Sequence, residues 1–247
     1  MPTVVRGPSS NDFLKMKWDY PVYAPEAGKR PEGTTSRVVR KAMTREEAVA
    51  YIAGDDPRPL LILRECKVCN GTDEALLKGG IDNEKTFLLS AWFHCVKLPV
   101  DVMDENHPFH NVFTEKTPEH LFVCSIDGTN HNALQSETSR KELWGSMLDL
   151  LELEYETKPD KPLKNIAKVL DKLDVVDARV REYTVKREKI LEEDGPGSKK
   201  LAKIAKKLEK EELELAELKA EIKTHYLNEL KRQKAAAQDK ETSTASR

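Results

Sequence analysis

Two long lysine- and glutamate-rich stretches, each carrying a single line of apolar residues, fix the architecture of the last third of this chain. In the first, Leu163, Ile166, Leu170, Leu173, Val176, Val180 and Tyr183 recur at steps of three and four. Ile190 follows after one longer gap at Arg187. In the second, the line is Leu201, Ile204, Leu208, Leu215, Leu218, Ile222 and Tyr226. Asp194-Gly195-Pro196-Gly197-Ser198 separates them. Such spacing belongs to helices with one buried stripe. A tight break between two of them predicts an antiparallel coiled-coil hairpin over 163–234. About 30 residues per helix would carry the arm ~45 Å. The polar tail, 235–247, reads as disordered.

Composition narrows the rest. Charged residues make up 34% of the 247 and hydrophobic ones 38%, with a net charge of −2. That balance gives no global attraction to nucleic acid or to an anionic membrane. In the hairpin, glutamate alternates with lysine, which reads as a solvated face. No run of about 18 apolar residues is present to span a bilayer. The first ten residues lack the apolar stretch of a secretory signal, so a cytoplasmic location is expected. Four cysteines do not make a disulfide framework in a chain of this length and would start reduced there.

Residues 1–42 read as an extended N-terminal arm, rich in Pro, Gly, Ser and charge, with Phe13, Trp18, Tyr20, Val22 and Tyr23 as apolar anchors. Thr44 opens a helix with a capping box completed by Glu47, and Gly54-Asp55-Asp56-Pro57 ends it. Leu60–Arg64 reads as a short buried strand. A helix is expected over Asp73–Lys78, broken by Gly79-Gly80. A helix running into a strand is expected within 87–98, continuing at Val100–Val102. Residues 104–108 form a loop, and His110–Thr114 a short helix or turn. Leu121–Ile126 reads as a strand turning at Asp127-Gly128. Ser139 and Glu142 cap a final helix whose apolar face is Leu143, Met147, Leu150, Leu151 and Leu153.

The chemistry-bearing motif is Cys66-Lys67-Val68-Cys69, at a predicted strand-to-helix junction. Cys-x-x-Cys there is a redox arrangement. Free N–H groups and the dipole of a helix start favour a thiolate on the first cysteine. The second is near enough to attack a mixed disulfide. Lys67 favours the Cys66 thiolate and Glu65 opposes it. Two other readings stand beside this one. The thiols are structural, or they bind a metal with help from Cys95, His94, His107 or His110, although zinc sites usually want a second closely spaced ligand pair. Cys95 and Cys124 lie in apolar strands and read as buried structural thiols. No phosphate-binding glycine loop and no local Ser–His–Asp signature appear.

Over about residues 43–156 the order of motifs resembles the thioredoxin family. A helix and a strand lead to Cys66-x-x-Cys69. A central strand ends in Leu98-Pro99-Val100-Asp101-Val102. Thr117-Pro118 stands before the third core strand, and a closing hairpin and helix follow. The resemblance implies an α/β fold, a thioredoxin-like central mixed sheet flanked by helices over 43–157, followed by the antiparallel helical hairpin. It implies that Cys66 and Cys69 are catalytic, and that Pro118 is a cis-proline which with Thr117 binds the substrate peptide. It implies no cofactor. The chain departs from the family in having Glu65 where Trp is common, Lys67-Val68 in place of Gly-Pro, and Asn70 where Lys or Arg is frequent.

The function expected is thiol–disulfide exchange or redox switching on protein thiols, with a protein thiol or disulfide as substrate. The arm would meet a coiled-coil partner or a second copy; nucleic acid and membrane are not expected partners. The alternative is a non-catalytic adaptor whose hairpin mediates assembly. Deleting 163–247 separates the two: a reductase keeps activity on small disulfides, an adaptor loses its partner.

Overall fold

The computed structural model describes residues 6–23, 42–65, 77, 81–113, 119–134, 138–226 and 229–234. The chain divides into two compact units. One comprises 16–78 and 89–154, the other 1–15, 79–88 and 155–247.

The first unit is built on a five-stranded mixed sheet. Its strands are β1 (Trp18–Asp19), β2 (Leu60–Arg64), β3 (His94–Leu98), β4 (Leu121–Cys124) and β5 (Asn132–Leu134), in the order β1-β3-β2-β4-β5. β3 runs parallel to both β1 and β2, while β4 is antiparallel to β2 and to β5. Leu60, Leu61 and Ile62 are all fully buried, as a central strand covered on both faces requires.

Helix α2 (Arg45–Ala53) covers one face. Thr44 Oγ1 accepts from the Glu47 amide at 3.2 Å, and Glu47 Oε2 accepts from the Thr44 amide at 2.9 Å. These bonds satisfy two donors that the first turn leaves open. Ala48, Val49 and Ile52 pack with Ile62, Val96, Leu98, Phe109, Phe122 and Cys124 in one cluster. Side chains alternate along a strand, so Leu61, Cys95 and Val123 face the other way. Helix α3 (Glu84–Ser90) precedes β3, and helix α4 (Arg140–Glu154) packs on β4, with Leu143, Met147, Leu150 and Leu151 buried. Ser139 caps it, its amide donating to Glu142 Oε2 at 2.7 Å. The β4–β5 turn needs Gly128 at φ 79°, a left-handed conformation that glycine takes without strain.

Three expectations are corrected. Val100–Met103 is a 3-10 helix and does not extend β3. Pro99 has no amide for the sheet ladder, and its carbonyl instead accepts from Val102 at 3.2 Å. Leu153 is 59% exposed and stands outside the buried face of α4. Trp18 and Asp19, read as part of an arm, form the edge strand paired with Cys95 and Val96.

The second unit holds two long helices, α5 (Asp160–Asp194) and α6 (Lys199–Tyr226). At 35 and 28 residues they run about 52 and 42 Å. Gly195 ends α5 at φ 76°. Arg179 faces Glu211 at 3.5 Å, and Asp194 faces Lys200 at 2.9 Å, which makes the pair antiparallel. Burial is uneven along it. Leu163, Ile166, Leu170, Leu173 and Val176 are buried. Val180, Tyr183, Ile190, Leu201 and Ile204, expected in the same stripe, are only half-buried.

Helix α1 (Pro8–Asn11) packs on α5. Asp177, 5% exposed, accepts from the Ser9 amide at 2.9 Å and the Ser9 hydroxyl at 2.8 Å. The Gly7 amide donates to Asp174 at 2.7 Å. Arg6 forks onto Glu84 at 2.9 and 2.7 Å and reaches Asp171 and Asp174, each at 2.7 Å. Although burial alone would lower its pKa, hydrogen bonds to these three carboxylates raise that of Arg6 above its ordinary value.

Candidate functional site

The described residues nearest in sequence to the cysteine motif lie at the C-terminal end of β2. The strand is held there from both sides. The Arg64 amide donates to the His120 carbonyl at 2.7 Å, and the Glu65 amide to the Leu98 carbonyl at 2.9 Å. Cys66 follows Glu65 in sequence, and Pro118 precedes Glu119. Cys66, Cys69, Thr117 and Pro118 themselves lie outside the described residues, as do Lys67, Val68, Asn70 and, apart from Leu77, the expected helix over Asp73–Lys78.

The flanking side chains carry a defined electrostatic pattern. Arg64 is 9% exposed, with its guanidinium carbon 5.7 Å from the centre of the Phe113 ring. Its Nη2 stands 3.3 Å from His120 Nε2, a geometry in which the guanidinium donates to an unprotonated ring nitrogen. Lys97 Nζ lies 2.8 Å from Glu65 Oε1. The pairing counters the negative charge that the sequence places beside Cys66. Being partly exposed, it is screened by solvent.

Glu119 is 8% exposed, and its Oε1 meets His131 Nε2 at 2.6 Å. The His131 hydrogen bond holds the Glu119 carboxyl below its usual range, aided by a backbone hydrogen bond and the charges of His131 and Arg45, against the effect of burial. The His131 ring lies 4.6 Å from that of Phe122. A carboxylate two residues before β4 is thus anchored to the residue just before β5.

Cys95 and Cys124 are buried free thiols, and burial pushes both up to about 12. At neutral pH neither supplies an appreciable thiolate, the nucleophilic form. His94 Nε2 is 3.1 Å from Asp19, and His107 Nδ1 accepts from the Phe109 amide at 3.1 Å. Among the described residues no group of three or more His, Cys, Asp or Glu side chains is arranged to hold a metal ion. Among them also, no helix is long and apolar enough to cross a membrane.

Sequence reading singled out Glu65 but missed Arg64, Lys97, His120, Glu119 and His131. A signal for two of them was present: Arg64 closes an otherwise apolar strand, and Lys97 sits inside another. Their partners come from other strands and are not visible in local spacing. Comparison with family models, curated proteins and solved structures finds no match for the chain.

Proposed function

We propose that the chain is a thioredoxin-like thiol–disulfide oxidoreductase or redox switch acting on protein thiols through Cys66 and Cys69. The observation that supports this most is the Arg64–His120 backbone hydrogen bond. It joins the strand leading to Cys66 with the strand that follows Pro118, the two segments the family resemblance requires to converge. The strand order, the β4–β5 hairpin and the closing helix α4 support it as well.

In this reading the Cys66 thiolate attacks one sulfur of a substrate disulfide and displaces the other as a thiolate. Cys69, once deprotonated, attacks the Cys66 sulfur and releases the second substrate thiolate. The substrate disulfide gains two electrons and the cysteine pair is oxidised. Thr117 and Pro118 would present backbone to the substrate peptide. A reducing cytosol would return the pair to dithiol.

The test uses the full chain. Cys66→Ser abolishes exchange with a protein disulfide while the fold is kept. Cys69→Ser accumulates a mixed disulfide on Cys66. Full activity in Cys66→Ser would refute the assignment. The adaptor reading is favoured by the length of α5 and α6, and unaltered partner binding by Cys66→Ser would mark the hairpin as the working part.

A further inference from the structure

Helix α6 carries its charge in two blocks of opposite sign. Its first block holds Lys199, Lys200, Lys203, Lys206 and Lys207, with no acidic residue before Glu209. Its second block, 209–221, holds Glu209, Glu211, Glu212, Glu214, Glu217 and Glu221 against Lys210 and Lys219. The hairpin neutralises little of this. Lys200 meets Asp194 and Glu211 meets Arg179. Lys199, Lys203 and Lys206 have no ion-pair partner among the described residues, nor do Glu212, Glu214 and Glu217.

A large apolar side chain lies on the outer side of the same helix. Leu213 is 61% exposed. It is five residues from both Leu208 and Leu218, which are buried, and so points about 140° away from each. Ala202 and Ala205 are also exposed. Leu201 and Ile204, half-buried, lie about 120° and 180° from Leu213 on the stripe toward α5 and take no part in this outer face.

We propose that this face of α6 seats the same face of a second copy of the chain, with the two α6 helices antiparallel. In that arrangement the lysine block of each copy lies along the glutamate block of the other. Two-fold symmetry makes the contact twice. A parallel arrangement would set like charges opposite one another, which is costly. Aligning the block centres puts the two-fold axis near Glu209. Each Leu213 then faces the Ala202–Ala205 turn of the other copy, where small side chains permit close approach. A polyanion such as nucleic acid would satisfy only the lysine block and would be repelled by the glutamates. The second copy is the occupant that answers both blocks.

Sedimentation equilibrium on the full chain tests this. At about 50 mM salt the wild-type chain is expected at twice its monomer mass. Dissociation is expected near 500 mM, where the Debye length falls to ~4 Å. Reversing Lys199, Lys203 and Lys206 to Glu is expected to weaken the dimer by at least about tenfold. Adding Glu212→Lys, Glu214→Lys and Glu217→Lys to that variant restores it, because the blocks are exchanged. All six positions lack ion-pair partners among the described residues, and helical circular dichroism verifies that each variant is folded. A monomeric wild-type chain at low salt overturns the proposal. So does a dimer indifferent to the first reversal, a doubly reversed chain that stays monomeric, or a monomer whose lysine block binds nucleic acid.

Discussion

The amide of Arg64 and the carbonyl of His120, 56 residues apart in sequence, meet at 2.7 Å. This bond continues the antiparallel register of β2 and β4 beyond Leu63 and Leu121. It carries β2 to Arg64, two residues before Cys66 in sequence, and meets the chain at His120, two residues after Pro118. Both flanks are charged. Lys97 pairs with Glu65, and His131 with Glu119.

The Lys97–Glu65 pair should tune Cys66 if Cys66 is the nucleophile. Lys97→Met leaves the Glu65 carboxylate, one residue before Cys66 in sequence, without its 2.8 Å partner. The pH at which Cys66 is alkylated should then rise by about half a unit to one unit. Adding Glu65→Gln should bring it back. The rate of iodoacetamide labelling against pH measures this, and an unmoved profile would mean that the pair acts only on the fold.

Glu119 should make stability depend on acid pH. Its carboxyl is held below the ordinary 4.5 in the folded protein. A depressed pKa gives stability that is fully present above the unfolded value and is lost as pH falls through the folded one. The melting temperature should therefore fall below about pH 4.5. The gap between wild type and Glu119→Gln should narrow over the same range. Thermal unfolding of both proteins from neutral to strongly acid pH would detect this.

Two glycines should respond to alanine in opposite directions. A Cβ on Gly7 would meet Asp177 Oδ2 at 2.6 Å and Asp174 Oδ1 at 3.2 Å, the carboxylates that hold α1 to α5. Gly7→Ala should cost about 1–3 kcal/mol through overpacking. Gly145 lies inside α4 with nothing within 4 Å of the added atom. Gly145→Ala should stabilise by about 0.5–1 kcal/mol by lowering the entropy of the unfolded chain. Denaturant midpoints at constant slope measure both changes.

Cys95 and Cys124 should resist alkylation at pH 8 for as long as the protein is folded. Burial pushes their thiols up to about 12, and a buried sulfur excludes the reagent. Mass spectrometry should find both labelled only after denaturation.

What could be read from the sequence was largely local. The Thr44/Glu47 and Ser139/Glu142 boxes satisfy amides within one turn, so their spacing alone identifies them. The helical hairpin declared itself through repetition over many turns. By contrast, Trp18–Asp19 is too short to show a period, and it is a strand only because β3 pairs with it. Val100–Val102 has strand-like side chains, but Pro99 cannot extend the ladder. Around the candidate site the cysteine motif was plain in the sequence. The partners of Arg64, Glu65 and Glu119 were not, because strand pairing brings together residues that are far apart along the chain. Half-burial of Val180, Tyr183 and Ile204 was also hidden, since apolar spacing does not reveal whether a third layer exists.

A redox titration of the purified chain in thiol buffers, with mass spectrometry locating the bridge, decides whether Cys66 and Cys69 form a redox pair. A reversible Cys66–Cys69 disulfide is expected near the cytosolic poise, on the order of −220 to −300 mV. Absence of that bridge, with Cys66 and Cys69 both inert to alkylation in the folded protein, would contradict it.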